Sequence, residues 1–548
     1  MNFDFNKDKG YNDPLTFPST LEEIDNGAFY NCSSIKAVTI PANVKFGQMI
    51  FSNCGNLHNI NFAEGAKEIG YAMFMNCGRI YNISIPASVE VIGSKAFQQC
   101  SQLRTITVAE GNQHFIAKDN VLFTKDMKNL LVFPAQNIGV KKYEIPNGVE
   151  RLATASFALT SGLQEVVIPE SVDSIGPLAF GRSTSLKKIN IPSKVRVIDI
   201  GTFDGSEKLE EVIFSEGLQE IGETAFQRCI NLTNFHLPST LKIIGKKAFS
   251  EAFSKFEPLE LPTSLDSIGD KAFYKTAFGG TLTIPESVTK WGRESFNYMG
   301  DVDTVIINSK AVVPMGAFYL STVHNLKIGK NVPGMQNGAF WSQYHISWLE
   351  SVEIEEGMKF MGDNNFDGRY TKITIPNSVE TMGIYNFGSQ ELRTIDLGTG
   401  LKSTGYLTDS PKLDYLICRA TTPPAVKENT TAEPEYSNLV TPSLYGHTLL
   451  FVPEKSIDAY KAAPHWSRFL NIKSIEKDLA GVDTPMADNL TVTVNGNEIN
   501  VTGYDGNISV TNLAGRTVYN GPATTVAVSE SGLYIVRAAD KTWKLMVK

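Results

Sequence analysis

The chain has 548 residues, too many for one ordinary globular core, and its 42% hydrophobic share excludes a disordered polypeptide. The formal net charge of −8 gives no electrostatic reason to expect nucleic acid or an anionic lipid surface as partner. No apolar run approaches the roughly eighteen residues that a transmembrane helix needs.

In chain order, Met1–Gly10 is polar and carries no apolar signal core, so the sequence reads as cytosolic or as a mature or trimmed form of an exported protein. From about residue 15 a repeat takes over. A marker Phe occurs at Phe29, Phe51, Phe74 and Phe97, then at Phe157, Phe180, Phe203, Phe226 and Phe249 with a constant interval of 23 residues. It continues less regularly through Phe273, Phe296, Phe318, Phe340, Phe366 and Phe387. A period of this length is the signature of a solenoid, in which a coil that cannot bury its apolar face alone buries it by stacking.

Each repeat position has a physical reading. In the run from Leu103 to Val108, Leu103, Ile106 and Val108 point inward while Thr105 and Thr107 alternate outward, the period of a strand. Proline follows the strand in other coils (Pro86, Pro169, Pro192), where its missing N–H ends the ladder. Gly93, Gly176, Gly222 and Gly269 are expected to supply a positive-φ turn. Ala96-Phe97 is expected to start a short helical or 3₁₀ turn on the opposite side, with Phe as the core wedge. Between Val108 and Ile145 the interval lengthens. Two strand-like runs, Asp119–Asp126 and Leu130–Pro134, flank a Lys125-Asp126 turn there and predict a β-hairpin inserted at about 109–144.

The repeat loses its regularity after Leu397. Thr421 to about Tyr445 reads as a loop, Leu449–Pro453 as one more strand, and Glu454–Ala463 as a short helix that covers the last coil. Residues 476–489 read as a linker. Beyond it the period changes to two, with Asn495-Gly496 as a hairpin turn and about seven short strands, which predicts a small β-sandwich over 490–548.

The motif from Ile85-Pro86 through Val89, Ile92-Gly93, Ala96-Phe97, Cys100, Leu103 and Ile106 resembles the BspA-like, treponemal-type leucine-rich repeat, over roughly residues 15–418. The resemblance implies a leucine-rich-repeat solenoid: a curved parallel β-sheet with short turns or 3₁₀ segments on the opposite side, hairpin inserts between coils, and a closing segment like 419–475. The stretches Ile508–Val518, Gly532–Val536 and Lys544–Lys548 resemble the type IX secretion C-terminal sorting domain, which implies export across a Gram-negative outer membrane. A surface or secreted protein that adheres to host matrix or to other cells is what the first resemblance implies for function.

Candidate chemistry is sparse. Cys32, Cys54, Cys77 and Cys100 each lie three residues after a marker Phe, as does Cys229, so consecutive coils stack a column of thiols. A linear column does not converge on one point as zinc ligands must, so these thiols read as buried, reduced and structural. Asn297, Ser342 and Gly181 sit in comparable turns, so the position accepts small or polar residues. Asp363–Gly368 resembles the start of an EF-hand loop, but the position of the bidentate Glu is Thr374. The His residues are scattered, and no H-E-x-x-H, G-x-S-x-G, Walker or dinucleotide motif occurs. The sequence therefore predicts no catalytic residue, no metal, no cofactor and no enzyme.

The outward strand positions, from Asn82 and Ser84 to Thr281 and Thr283, are rich in Thr and Asn, good solvated strand residues. Between Trp291 and Tyr370 the coil length slips and aromatics gather outside the core positions: Trp291, Tyr298, Tyr319, Trp341, Tyr344, His345 and Trp348. Trp291, Trp341, Tyr344 and Trp348 are the candidate binding residues, since exposed aromatics commonly anchor interfaces. The expected partner is a protein, host extracellular matrix among the choices, or a glycan captured for nutrient uptake. A structural surface layer is the third reading, and the protein itself is expected to be a monomer at the cell surface or secreted.

Overall fold

The computed structural model describes residues 14–137, 139–252, 258–342, 348–427, 437–479, 491–495, 497–502, 507–512, 516–522, 525–528, 531–538 and 541–547. The chain falls into two units, Met1–Leu349 with Asn364–Phe366, and Glu350–Asp363 with Asp367–Lys548.

In the first unit most coils place a strand in each of two parallel ladders; the coil at Asn234 keeps only a single bridge to Glu211 in the first, and the coil at Leu259 has no strand there. The longer strands pair in register from coil to coil, as where Lys188–Ile191 lies beside Glu211–Phe214 with Ile189 opposite Val212. Ile189, Ile191 and Val212 are buried, while Lys188 pairs with Glu211 on the outer face, Nζ to Oε2 at 2.9 Å. The second ladder is built from two-residue strands and was not visible in the sequence pattern. It aligns Leu152, Ile175, Ile198, Ile221, Ile244 and Ile268 in one column of directly opposed residues. All six are almost fully buried.

The marker phenylalanines form the third column. Ring centroids of Phe157, Phe180, Phe203 and Phe226 follow one another at 4.9, 5.3 and 4.9 Å with nearly parallel planes. The stack continues through Phe249, Phe273, Phe296, Phe318 and Phe340 to Phe366.

Two expectations about the turns are corrected. Gly93, Gly176, Gly222 and Gly269 do not have positive φ. A Cβ on Gly93 would lie 2.5 Å from the Tyr71 backbone nitrogen, and one on Gly269 would lie 2.5 Å from that of Lys246. These glycines let one coil's backbone press on the next. The left-handed residues come two positions later, at Lys95 (φ 62°), Leu178 (φ 57°), Thr224 (φ 54°) and Lys271 (φ 55°). Nor do the Phe segments form 3₁₀ helices among the described residues; they are turns. Alternate amides donate to the next coil, as Phe51 N does to Met73 O at 2.9 Å and Asn53 N to Met75 O at 2.8 Å. Those bonds hold the left-handed geometry against its steric cost for side chains such as Leu178.

The insert after Val108 has three strands. Phe115–Lys118 pairs antiparallel with Val121–Thr124, which pairs antiparallel with Asn129–Val132. The first turn is Asp119-Asn120, both left-handed as a two-residue hairpin requires. Asn129–Val132 then runs parallel to Arg151–Leu152, and Phe133 enters the ring column 5.0 Å from Phe157.

In the second unit a parallel sheet runs through Lys372–Ile375, Thr394–Leu397, Tyr415–Cys418, Leu449–Val452 and Asn471–Ser474. The helix Ile457–Ala462 closes it. Tyr460 and Trp466 are fully buried edge to face at 5.2 Å. Tyr460 Oη donates to Ala420 O at 2.8 Å, and Trp466 Nε1 donates to Pro424 O at 2.8 Å. Glu476 to Asp478, expected within a linker, belong to a short helix, Ile475–Asp478, capped by the Ser474 hydroxyl.

The last residues form two antiparallel sheets. One holds Thr491–Asn495, Glu498–Thr502 and Thr525–Ala527; the other holds Thr517–Pro522, Asn507–Asn512, Gly532–Ala538 and Lys541–Val547. Ile499 and Val526 share an apolar cluster with Val510, Val536 and Val547. Among the described residues, no helix is long and apolar enough to cross a membrane.

Candidate functional site

The thiol column is accounted for by backbone hydrogen bonds. Cys54 Sγ donates to Phe29 O at 3.1 Å, Cys100 Sγ to Phe74 O at 3.2 Å, and Cys229 Sγ to Phe203 O at 3.2 Å. The equivalent residues in other coils are Ser183, Ser206 and Ser321, whose hydroxyls reach Phe157 O, Phe180 O and Phe296 O at 2.9, 2.8 and 2.7 Å. This replaces the comparison with Asn297, Ser342 and Gly181, which stand elsewhere in the turn. Burial pushes the Cys54 and Cys100 thiols up to about 12. Cys32, expected to be buried, is half exposed because it lies in the first described coil with a marker Phe. Among the described residues, no group of three or more His, Cys, Asp or Glu is arranged to hold a metal ion.

The three described tryptophans of the candidate set stand in three different places. Trp291 is half-buried; its indole meets Phe296 and Phe318 edge-on at 6.3 and 6.0 Å, and Nε1 donates to Ser295 Oγ at 2.6 Å. Trp348 is 37% exposed and lies 6.4 Å from the His324 ring, on the side of the long strand Thr322–Ile328. His324 Nε2 in turn approaches Asp301 Oδ1 at 2.7 Å. Trp341 follows Phe340 on the turn side, 5.6 Å from Tyr319. Tyr344 and His345 lie outside the described residues.

The turn side carries a row of aromatic rings. Tyr274, Tyr298, Tyr319 and Trp341 each follow the column Phe of their own coil by one or two residues. Neighbouring centroids are 5.8, 6.4 and 5.6 Å apart, with interplanar angles of 82°, 82° and 40°. Lys275 Nζ lies 5.3 Å from the Tyr274 ring and 5.8 Å from the Tyr298 ring, and Lys271 Nζ lies 5.6 Å from Tyr274. Lys275 and Tyr298 are left-handed (φ 53° and 56°), and both side chains are exposed. Sequence reasoning found three of these rings as aromatics outside the core but missed Tyr274, which sits in an otherwise regular coil. An aromatic just after the marker Phe in successive repeats is the signal that finds it.

This row offers stacking surface and positive charge. A cleft of about 300 Å³ opens elsewhere in the same unit, lined by Asn234, Phe235, His236, Glu260 and Phe278 among others.

No curated protein matches the chain. Among solved structures, a leucine-rich repeat protein from Eubacterium ventriosum ATCC 27560 is 23% identical, covering 52% of this chain and 82% of its own, with a TM-score of 0.46. A leucine rich cell surface protein from Faecalibacterium prausnitzii A2-165 is 29% identical over 44% of this chain and 78% of its own, with a TM-score of 0.36. A leucine-rich repeat protein from Bacteroides ovatus ATCC 8483 is 20% identical over 72% and 82%, with a TM-score of 0.38. The family model described as BspA type Leucine rich repeat region (6 copies) matches residues 5–124, 133–254, 244–370 and 342–408. These matches cover more than half of the chain, and the chain belongs to the BspA-type leucine-rich-repeat family.

Proposed function

We propose that this protein is a non-enzymatic, adhesin-like binding protein, displayed at a bacterial cell surface or secreted, that holds a protein or glycan partner along its repeats. The observation that carries this reading is the row of Tyr274, Tyr298, Tyr319 and Trp341 on the turn side. A stacked scaffold spreads contacts along one face, and aromatic side chains bury large area at small entropic cost. The name of the Faecalibacterium protein, a leucine rich cell surface protein, supports the location. The region 490–548 serves, in this reading, as a sorting-domain-like β-sandwich for export. Residues 15–418 form the binding solenoid and 419–475 its cap.

The test is a screen of the purified full chain on immobilised matrix proteins and a glycan array. Saturable binding to a partner, weakened by Trp341→Ala or Trp348→Ala with an unchanged melting temperature, is the expected result. Absence of saturable binding on both panels would remove the reading.

A further inference from the structure

The first ladder of the first unit comes apart between Glu211–Phe214 and Thr281–Ile284. In regular coils the strand opens on an amide that donates to the coil before it. Lys188 N donates to Gln164 O at 3.2 Å, Glu211 N to Lys187 O at 2.9 Å and Asn234 N to Glu210 O at 3.0 Å. Pro258 takes this place in the next coil, as far before Pro262 as Asn234 is before Pro238 and Lys188 before Pro192. Proline has no N–H, so the bond that starts the rung is missing. Elsewhere the stack stays closed. Ile221, Ile244 and Ile268 remain paired in the second ladder, and the rings of Phe226, Phe249 and Phe273 follow at 5.1 and 5.3 Å. The coils part on the first-ladder side alone, and the cleft of about 300 Å³ lies there.

The floor of this cleft is apolar: Leu259 and Phe278 are buried, and the half-buried Phe235 stacks on Phe249 at 5.9 Å. Its surroundings are main chain left without a ladder. Ser215 N donates to Ile191 O and Asn308 N to Ile284 O. By the alternation of a parallel ladder, the N–H groups of Phe214 and Thr283 therefore point the other way, toward the parted coils. Those two N–H groups, and the N–H and C=O of His236 and Glu260, have no hydrogen-bond partner among the described residues. Backbone groups of this kind bond to water or to a partner. Along a strand they recur at every second residue, about 6.6 Å apart. An extended polypeptide carries the same repeat on its own main chain, and a compact ligand does not. Addition of such a segment to open strand edges draws affinity from the main chain and specificity from a side chain seated in a pocket.

We propose that the cleft between the coils of His236 and Glu260 is a docking site for an extended apolar peptide segment of a partner protein. Main-chain hydrogen bonds at the parted rungs hold the segment, and one aromatic side chain rests on Phe235, Leu259 and Phe278. This rests on the reading of the chain as a binding protein and adds a site on the strand side, apart from the aromatic row.

The experiment titrates the full chain with a short acetylated and amidated peptide of alternating threonine and valine with one central phenylalanine. The comparison probes are the same peptide with alanine at the centre and the same peptide N-methylated at alternate amides. The first peptide should bind saturably, with little change between low and moderate salt, and each of the other two should bind at least about tenfold more weakly. Pro258→Thr restores the missing N–H with the residue that stands at the equivalent position 281. It should close the rung and weaken binding at least about tenfold, with a melting temperature equal to or above that of the native chain. Ala277→Leu fills the cleft from its lining and should weaken binding as much. Tyr81→Ala removes an exposed ring elsewhere in the unit and should leave affinity unchanged. No saturable binding of the first peptide, full affinity of the N-methylated one, or full affinity in both cleft variants would overturn the proposal. A steep fall with salt would overturn it by assigning binding to charge. Binding that appears only after Phe253 and Phe256 are both replaced by Ser would overturn it in favour of the chain's own segment as the occupant. No peptide binding alongside a protein or glycan found by the screen would remove this inference and leave the binding reading standing.

Discussion

Cys77 Sγ lies 3.0 Å from the carbonyl oxygen of Phe51, so that a thiol in one coil donates to the backbone of the coil before it. The same carbonyl also accepts from Cys54 N at 3.2 Å. Ser183 and Ser206 make the equivalent bond with a hydroxyl. Cys77→Ser should therefore keep the native stability within about 1 kcal/mol, while Cys77→Val loses one of two donors and should cost about 0.5–1.5 kcal/mol more. Urea midpoints at constant slope decide it. A Val variant as stable as the Ser variant would mean that the position selects for size alone.

Burial raises the folded-state thiols of Cys54 and Cys100 to about 12 and that of Cys418 to about 11. In the unfolded chain a thiol ionises near about 8.5. Below that pH both states hold the proton and the thiols impose no pH dependence. Above it the unfolded chain loses protons that the folded chain keeps, so stability falls as pH rises toward the folded values. Cys54→Ser lacks this loss, so the native chain should lose stability relative to that variant between about pH 8 and pH 11. A stability difference that stays flat across this window would contradict the assignment.

Glycines at coil contacts should differ sharply from exposed ones. Gly269→Ala places a Cβ 2.5 Å from Lys246 N, and Gly93→Ala places one 2.5 Å from Tyr71 N. Each should lower stability by about 1–3 kcal/mol, because backbone cannot move aside as a side chain can. Gly55 has nothing within 4 Å of its added Cβ, so Gly55→Ala should be neutral or stabilising by about 0.4–1 kcal/mol. Melting temperatures of the three variants measure the contrast.

The cap should matter most to the coils it touches. Trp466→Ala removes a fully buried indole and its bond to Pro424 O, at a cost of about 3–5 kcal/mol. In a repeat stack that loss is felt by neighbours first. Hydrogen exchange should therefore rise in Leu449–Val452 and Asn471–Ser474 before it rises in Lys188–Ile191. A uniform loss of protection would show one cooperative unit instead.

By itself the sequence determined the positions that must share an environment. The interval between Phe157 and Phe180 put both in one buried column, and the alternation in runs such as Lys188–Ile191 told inside from outside. Periodicity is enough for this because in a stack equivalent residues meet equivalent neighbours. Tertiary structure alone decided what passes between coils. Gly93 is needed by the backbone of Tyr71, not by its own φ, and no local pattern around Gly93 reports that approach. Leu178 and Thr224 have little intrinsic liking for the left-handed region; bonds from the adjoining coil hold them there. The short ladder of Ile175 and Ile198 is too brief to show a period of its own. Tyr274, Tyr298, Tyr319 and Trp341 became a row because the coil rise brings rings far apart in sequence within about 6 Å of one another. A distance of that kind is set by backbone hydrogen bonding across the stack, which spacing along one chain does not encode.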